Sequence, residues 1–334
     1  MSGPIVHGGG LSAAAARYGG DPAAWLDLST GINPNPVTVP VVPVAAWHRL
    51  PDRGLVDAAR MAAQSYYGST GILPLPVPGT QSVIQLLPRL ADPARRIAIL
   101  GPTYGEYGRA FSRAGFEVDA IGELSDIGEA HGMVVVVNPN NPTGRLLPAD
   151  VLESLGRRLE AEHATLVVDE AFCDCAPSES LAGRAENNPN LMIFRSFGKF
   201  FGLAGLRLGF VIASDSILAG FDEDLGPWAV SGPALSIATQ LLSADMSALR
   251  ASIVERKIAL DAVLSGAGLP ASGGTALFSL VRTADAGGLH DHLCRAHILT
   301  RIFDYAPDWM RIGLAPDAAA DARLAAALAA WLRP

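Results

Sequence analysis

The sequence contains little that would support a disulfide framework, a nucleic-acid surface or a membrane span. Its 334 residues include only 3 cysteines, and this small, odd number favours a reducing compartment. The net charge of −8 argues against nucleic acid as a partner, because phosphate backbones require a basic surface. We find neither 18 uninterrupted apolar residues nor a leader-like amino terminus. These features predict a cytoplasmic protein, and the net charge does not argue against a small anionic substrate, because a few local arginines can outweigh it.

The chain is long and apolar enough to form two domains around substantial cores. Short β-branched runs alternate with segments of helical pattern, which is typical of a mostly parallel sheet covered by helices. The predicted strands are residues 96–100, 117–121, 133–137, 165–168, 191–194 and 208–213. The predicted helices are residues 80–90, 107–114, 148–162 and 215–225.

The pattern changes after about residue 215, where helices dominate and fewer strands follow. We therefore expect a large domain over residues 46–215 and a smaller α+β domain over residues 216–334. Residues 1–45 show little periodicity, so we expect them to pack on the small domain or along the active-site face. Residues 36–47 are apolar and contain three prolines, which predicts an extended crossing segment.

Polar residues stand where three predicted strands end. Asn138 to Asn141 follow the 133–137 strand, Asp169 follows the 165–168 strand, and Ser196 and Lys199 follow the 191–194 strand. In open α/β sheets, ligands bind outside the carboxyl ends of the strands. The spacing therefore predicts one site built from three neighbouring strand ends.

The residue types at these positions suit pyridoxal 5′-phosphate (PLP). Lys199 can form an imine with an aldehyde when its amine is held neutral, and Asp169 can keep a pyridine nitrogen protonated. Arg207 and Ser196 can bind a phosphate. Taken alone, each residue also has an ordinary interpretation, such as a helix cap or a solvated lysine. Their joint order favours the cofactor site.

Further residues complete the predicted cofactor site. Gly79, Thr80 and Gln81 precede an apolar helical run, so their backbone N–H groups and the Thr80 hydroxyl can cradle the same phosphate. Tyr107 can lay its ring on the pyridine. Asn141 can donate a hydrogen bond to the phenolic oxygen of the ring.

The chain resembles the fold-type I PLP enzymes of the aspartate aminotransferase superfamily, from about residue 5 to residue 332. The motifs NPNNPTG (138–144), DEAF (169–172), SFGK (196–199) and GLRLG (205–209) resemble the histidinol-phosphate aminotransferase branch. The resemblance implies a mostly parallel seven-stranded sheet in the large domain, a homodimer, and Lys199 as the Schiff-base lysine. It also implies that Arg311 grips the α-carboxylate of the substrate.

A narrower resemblance comes from the amino-terminal motifs HGG (7–9), DLSTGINP (27–34) and RLPD (49–52). These are similar to motifs of the L-threonine-O-3-phosphate decarboxylases of cobalamin biosynthesis. The resemblance implies that His7 and Asn33 contact a small phosphorylated amino acid and that Arg301 holds its phosphate. The implied reaction is decarboxylation of L-threonine O-3-phosphate to (R)-1-amino-2-propanol O-2-phosphate.

Two alternatives stay open at this point, an aminotransferase for histidinol phosphate and a non-enzymatic PLP-binding domain. The chain has Leu50 where many relatives have a tyrosine that reaches the partner subunit's PLP phosphate, and Phe172 where many aminotransferases have tyrosine. The second difference mildly disfavours a standard transaminase. We expect no metal site at His290, His292 and His297, because they lack partner ligands.

Overall fold

A computed structural model describes Ile5 and residues 7–331. The strands are β1 (Leu26–Asp27), β2 (Leu75–Val77), β3 (Arg96–Leu100), β4 (Val118–Ile121), β5 (His131–Val137), β6 (Thr165–Asp169), β7 (Leu191–Ser196), β8 (Gly209–Ile212), β9 (Gly273–Thr275), β10 (Phe278–Arg282), β11 (Ile298–Leu299), β12 (Arg301–Phe303) and β13 (Ala306–Gly313). The α-helices are α1 (Leu11–Tyr18), α2 (Val44–His48), α3 (Arg53–Tyr67), α4 (Thr80–Leu86), α5 (Glu106–Arg113), α6 (Ala149–Ala161), α7 (Asp215–Leu225), α8 (Gly232–Leu242), α9 (Ser247–Gly266), α10 (Ala286–Arg295) and α11 (Ala318–Trp331).

Seven strands form one large sheet in the order β2-β8-β7-β6-β5-β3-β4. All its strands run parallel except β8, which is antiparallel to both of its neighbours. The six predicted strands are present, each within two residues of its predicted bounds. The expected mostly parallel seven-stranded sheet is therefore confirmed.

The centre of this sheet is buried on both faces. Met133, Val134, Val135 and Val136 of β5 are all fully buried, as expected for a strand that helices cover on each side. Because β5, β6 and β7 lie side by side and run in the same direction, their carboxyl ends meet at one edge. The polar residues predicted at those ends are brought to that edge.

A second, antiparallel sheet has the order β12-β13-β10-β9. The amino-terminal segment joins this part of the molecule, since β1 pairs in parallel with β11. Helix α7 contacts α4 and β2, and α8 packs on α3. The division of the chain at residues 45 and 215 stays a prediction. No helix within the described residues is both long enough and apolar enough to cross a bilayer.

The prediction of an extended segment over residues 36–47 was wrong at its carboxyl end, where α2 begins at Val44. The prolines keep the backbone extended only as far as Pro43, and the residues after it are free of proline. Helix α3 follows in a region for which the sequence analysis made no prediction. The Asp52 carboxylate accepts a hydrogen bond from the Leu55 N–H at 2.9 Å and starts this helix, while Gly68, in the left-handed conformation, ends it.

Candidate active site

A cavity of about 610 Å³ opens at the carboxyl ends of β5, β6 and β7. Its other walls come from the amino-terminal segment, the start of α4, and the β12–β13 hairpin. The predicted site residues that line it are His7, Gly79, Thr80, Gln81, Asn141, Asp169, Ser196, Lys199, Arg207, Arg301 and Arg311. Two predicted residues, Tyr107 and Asn33, do not line it.

At the floor of the cavity, Asp169 is a buried acid, with 4% of its surface exposed. The Tyr107 hydroxyl donates a hydrogen bond to its Oδ2 at 2.8 Å, and the Ala171 N–H donates to its Oδ1 at 3.0 Å. Burial raises the pKa of Asp169, although these two hydrogen bonds and the charge of Lys199 oppose the rise. A cation beside this carboxylate would stabilise its ionised form.

Lys199 follows β7 and projects into the same cavity. Burial lowers its pKa to about 8, and the charges of Arg311 and Arg207 act in the same direction, while Asp169 opposes them. An ordinary lysine has a pKa near 10.4, so a much larger fraction of this amine is neutral near neutral pH. A neutral amine is the form that attacks a carbonyl carbon.

At one end of the cavity, the backbone of Gly79 and the guanidinium of Arg207 lie close together. Gly79, with φ +76°, precedes α4, and a Cβ at this position would lie 2.6 Å from Nη2 of Arg207. Arg207 is itself left-handed, with φ 53°, and its Nη1 donates to the Ala204 carbonyl at 3.1 Å. Glycine is therefore required at position 79 for the arginine to pack here, and its remaining N–H groups can bind an anion in the cavity that Thr80 and Ser196 also line.

The opposite end of the cavity carries a pair of like charges. Arg301 on β12 and Arg311 on β13 are direct cross-strand partners, and both line the cavity. Neither guanidinium forms an ion pair within 4 Å with a carboxylate of the described residues, although the charges of Asp304 and Asp27 act on Arg301 and Arg311 respectively. Like charges placed opposite each other in a sheet are destabilising. Anions bound beside the two guanidinium groups would offset their mutual repulsion.

Arg311 is 7% exposed, and its contacts hold it without neutralising it. It donates from Nη1 to the Asn141 side-chain oxygen at 2.5 Å and from Nη2 to the Ser29 carbonyl at 2.6 Å. Its Nε has no hydrogen-bond partner among the described residues. Burial, followed by the charge of Arg301, lowers its pKa to about 10. Because Arg311 occupies the Asn141 oxygen, only the amide NH₂ of Asn141 can serve a ligand.

The amino-terminal segment forms another wall of the cavity and is bonded there to Glu106, a carboxylate that sequence analysis missed. His7 Nε2 lies 2.8 Å from Oε1 of Glu106, and the Gln81 amide donates to Oε2 of the same carboxylate at 3.1 Å. The Tyr104 hydroxyl in turn donates to the Gln81 oxygen at 3.1 Å. His7, Gln81 and Tyr104 line the cavity, whereas Glu106 is buried behind them.

Tyr107, whose ring we expect to lie on the pyridine, is not part of the cavity lining. Tyr107 is fully buried in the core and its hydroxyl supports Asp169, whereas Tyr104 and Tyr305 line the cavity. The spacing of Tyr107, Ala110 and Phe111 on α5 could have revealed this, because residues separated by three and four positions share the buried face of a helix.

Asn33, which the family resemblance places at the substrate, is likewise not part of the cavity lining. Its amide donates to the Phe200 carbonyl at 3.1 Å, and its side-chain oxygen accepts from the Asn35 N–H at 3.0 Å. Its backbone N–H donates to the Lys199 carbonyl at 3.0 Å. Asn33 thus fixes the loop that carries Lys199.

Behind the sheet, a buried ion-pair network ties together the ends of β6 and β7. Arg195 donates to Glu170 at 2.6 Å and to Asp174 at 2.9 Å, and all three residues are at most 2% exposed. Since side chains alternate along a strand, these groups lie opposite Asp169 and Ser196. Breaking a buried pair typically costs about 3–5 kcal/mol, so the network holds two strand ends of the site firmly.

The histidines and cysteines outside the cavity make separate contacts. His290 bonds the Thr300 hydroxyl at 3.0 Å, and His292 bonds the Ala327 carbonyl at 2.9 Å. Burial raises the pKa of Cys173 to about 12, which keeps this thiol protonated. Among the described residues, no three metal-binding side chains come together.

Comparison with known proteins identifies the family. The model of a family described as aminotransferase class I and II matches residues 44–328. The chain belongs to this family. It is 61% identical to the threonine-phosphate decarboxylase of Sinorhizobium sp over 98% of this chain and 99% of the relative. It is 43% identical to the threonine-phosphate decarboxylase of Pseudomonas aeruginosa over 99% of each chain.

Solved structures support the same fold for this aminotransferase-family chain. The histidinol-phosphate aminotransferase of Sinorhizobium meliloti, in complex with pyridoxal-5′-phosphate, superposes with a TM-score of 0.83 at 22% identity, and the match covers 98% of this chain and 94% of that one. The expected fold type I is thereby confirmed. The roles of individual site residues stay predictions and are taken up next.

Proposed function

We propose that this chain is a PLP-dependent decarboxylase that converts L-threonine O-3-phosphate to (R)-1-amino-2-propanol O-2-phosphate. The cross-strand pair of Arg301 and Arg311 carries the proposal, because two unpaired cations in one cavity suit a substrate with two anionic groups. Threonine phosphate has both a carboxylate and a phosphate, whereas histidinol phosphate has no carboxylate. Two relatives named threonine-phosphate decarboxylase, each aligned over nearly the whole chain, support the same conclusion.

The cavity suits PLP between the Gly79–Arg207 contact and Asn141. The space that a Cβ at Gly79 would fill is occupied by the Arg207 guanidinium, and Thr80 and Ser196 line the same cavity, so a phosphate can bind there. The Asp169 carboxylate suits a protonated ring nitrogen, and the free NH₂ of Asn141 suits the phenolic oxygen. We assign the cavity-facing ring contact to Tyr104.

When bound, PLP supplies an electron-accepting ring for the electron pair of the bond broken at Cα. Lys199, with its lowered pKa, provides a neutral amine for attachment of the cofactor. Tyr107 holds Asp169 by its 2.8 Å hydrogen bond and so fixes the acid that pairs with the ring nitrogen. After carbon dioxide has left, we assign to Lys199 the transfer of a proton to Cα.

Which bond breaks depends on how the substrate is held. We assign the substrate carboxylate to Arg311 and the substrate phosphate to Arg301, with His7 contacting the substrate from the amino-terminal segment. A substrate held at both ends cannot rotate freely about its Cα, so the bond to the carboxylate can be kept in the orientation that favours cleavage. A transaminase must instead present the Cα–H bond.

Product analysis tests the reaction. The purified protein is incubated with PLP and L-threonine O-3-phosphate, and separately with PLP, histidinol phosphate and 2-oxoglutarate. We expect carbon dioxide and the amino alcohol phosphate from the first mixture, and little glutamate from the second. Efficient formation of glutamate, with no carbon dioxide, would assign the chain to the transaminases instead.

We further propose that the protein acts as a homodimer. The segment from Val39 to Leu50 exposes several large apolar side chains that a second copy would cover. These are Val39 at 51%, Val41 at 88%, Val44 at 76%, Trp47 at 67% and Leu50 at 65% exposure. Sedimentation of the holoenzyme as a fully active monomer would contradict this proposal.

A further inference from the structure

Glu106 is a buried carboxylate that joins three walls of the cavity without lining it. It is the first residue of α5, and its side chain is 8% exposed. One oxygen bonds His7 at 2.8 Å, and the other accepts from Gln81 at 3.1 Å. Through Gln81, the same carboxylate also orients the Tyr104 hydroxyl. The mechanism above assigns no role to this group.

Glu106 provides one of two attachments that hold the His7–Gly9 segment over the cavity. The second attachment is Ser29, whose Oγ accepts from the Gly9 N–H at 2.7 Å. Gly8 packs so tightly here that a Cβ would lie 2.3 Å from the Ser29 carbonyl oxygen. That same oxygen accepts from Arg311. The segment is therefore anchored on one side to α5 and on the other to the group that binds Arg311.

The attachment at Glu106 determines where the His7 ring lies. The His7 side chain is 46% exposed, so little packing restrains it apart from the Tyr104 ring, whose centroid lies 5.8 Å away. A hydrogen bond to a carboxylate is among the stronger polar contacts, about twice as strong as a neutral one. Without it, the imidazole would lose its fixed direction and sample several rotamers.

We propose that Glu106 is a positioning residue, which fixes His7 in the cavity and thereby sets the affinity for the phosphorylated substrate. The proposal rests on the decarboxylase function argued above. Glu106 touches neither the cavity nor the reacting atoms, so it acts through His7 on substrate binding rather than through Lys199 on bond cleavage. It should therefore affect KM more than kcat.

The first test is a double-mutant cycle on the holoenzyme with Glu106→Ala and His7→Ala. For decarboxylation of threonine phosphate, we expect each single variant to raise KM by about tenfold, since charge-assisted hydrogen bonds have that magnitude. The double variant should be no worse than His7→Ala, because residues that act together are not additive. Glu106→Gln, which keeps one acceptor oxygen, should lie between wild type and Glu106→Ala. Glu153→Gln is a matched control, since that carboxylate bonds Arg157 and Arg184 far from the cavity lining.

The second test does not depend on turnover. Hydrogen–deuterium exchange of the peptide that contains residues 7–10 should be faster in Glu106→Ala and Glu106→Gln than in wild type, and unchanged in Glu153→Gln. Additive effects on KM with wild-type exchange in this peptide would overturn the proposal. If Glu106→Ala melts early, the same two measurements on Glu106→Gln decide the matter. Absence of carbon dioxide from wild type would refute the decarboxylase function, while the exchange result would still test the placement of His7.

Discussion

Replacement of Arg301 by alanine should weaken substrate binding without lowering the stability of the fold. Arg301 faces Arg311 across two strands, with its guanidinium 5.2 Å from the centre of the Phe303 ring. Burial lowers the pKa of Arg301, although Tyr305 and Asp304 oppose this shift. A hydrogen bond to a charged group contributes about 1.5–3 kcal/mol. The variant should therefore raise KM for threonine phosphate roughly 10- to 150-fold, because each 1.4 kcal/mol is about a factor of ten.

In the absence of ligand, Arg301→Ala should not show a loss of stability comparable to its loss of substrate binding. Removal of one of two opposed like charges gains roughly 0.2–1 kcal/mol, which offsets the lost contact with Phe303 of similar size. We expect the free energy of unfolding to stay within about 1 kcal/mol of wild type, measured by urea denaturation without substrate. PLP content, measured by absorbance, should also be unchanged.

Arg282→Ala is a suitable control. Its guanidinium also lies over an aromatic ring of the same sheet, 5.3 Å from the centre of Trp309, but it does not line the cavity. KM should be unaffected in this variant. An unchanged KM in Arg301→Ala, or equal changes in both variants, would refute the assignment of Arg301 to the substrate phosphate.

Three further predictions concern the cofactor and the assembly. Borohydride reduction should leave the pyridoxyl group on Lys199, and recovery of the label on Lys257 would exclude the assignment. Lys199→Ala should abolish turnover, whereas Lys257→Ala, which removes the only other lysine of the sequence, should not. Burial beside Arg311 and Arg207 lowers the pKa of Lys199 to about 8, so the neutral fraction of this amine rises over the range from pH 6 to 8. The rate at which the apoprotein takes up PLP should therefore increase from pH 6 to 8 and level off above pH 8. A midpoint near the ordinary lysine pKa of about 10.4 would contradict this. Trp47→Glu places a charge on the exposed apolar segment and should shift the sedimentation coefficient towards that of a monomer, whereas Trp228→Glu, also at an exposed tryptophan, should not.

The large sheet could be predicted because its strands are short β-branched runs and because helices cover both faces. Once the strands were predicted, the positions of their carboxyl ends were predicted as well. Asp169, Ser196 and Lys199 follow these ends and line one cavity, as expected. Strand β2 escaped prediction because Pro76 interrupts it and Pro74 and Pro78 flank it. Proline is tolerated there because β2 is an edge strand that pairs only with β8.

The parts of the site that could not be predicted depend on contacts between distant residues. His7 and Glu106 are 99 positions apart, and no local pattern connects them. Asn33 was expected at the substrate because its motif is similar to that of a family, but its side chain bonds the backbone of Phe200. A motif can predict that a residue is needed without indicating whether it touches the ligand or the loop that presents it.

The unpaired Arg311 has a consequence for the end of the catalytic cycle. Decarboxylation would turn the carboxylate that we assign to Arg311 into neutral carbon dioxide, so the product would keep its phosphate as its only anionic group. The buried guanidinium donates its hydrogen bonds to neutral oxygens of Asn141 and Ser29, so it would then lose its counter-ion at the moment the reaction is complete. Affinity for the product should therefore fall well below affinity for the substrate. The enzyme would release its product readily and resist inhibition by accumulated amino alcohol phosphate.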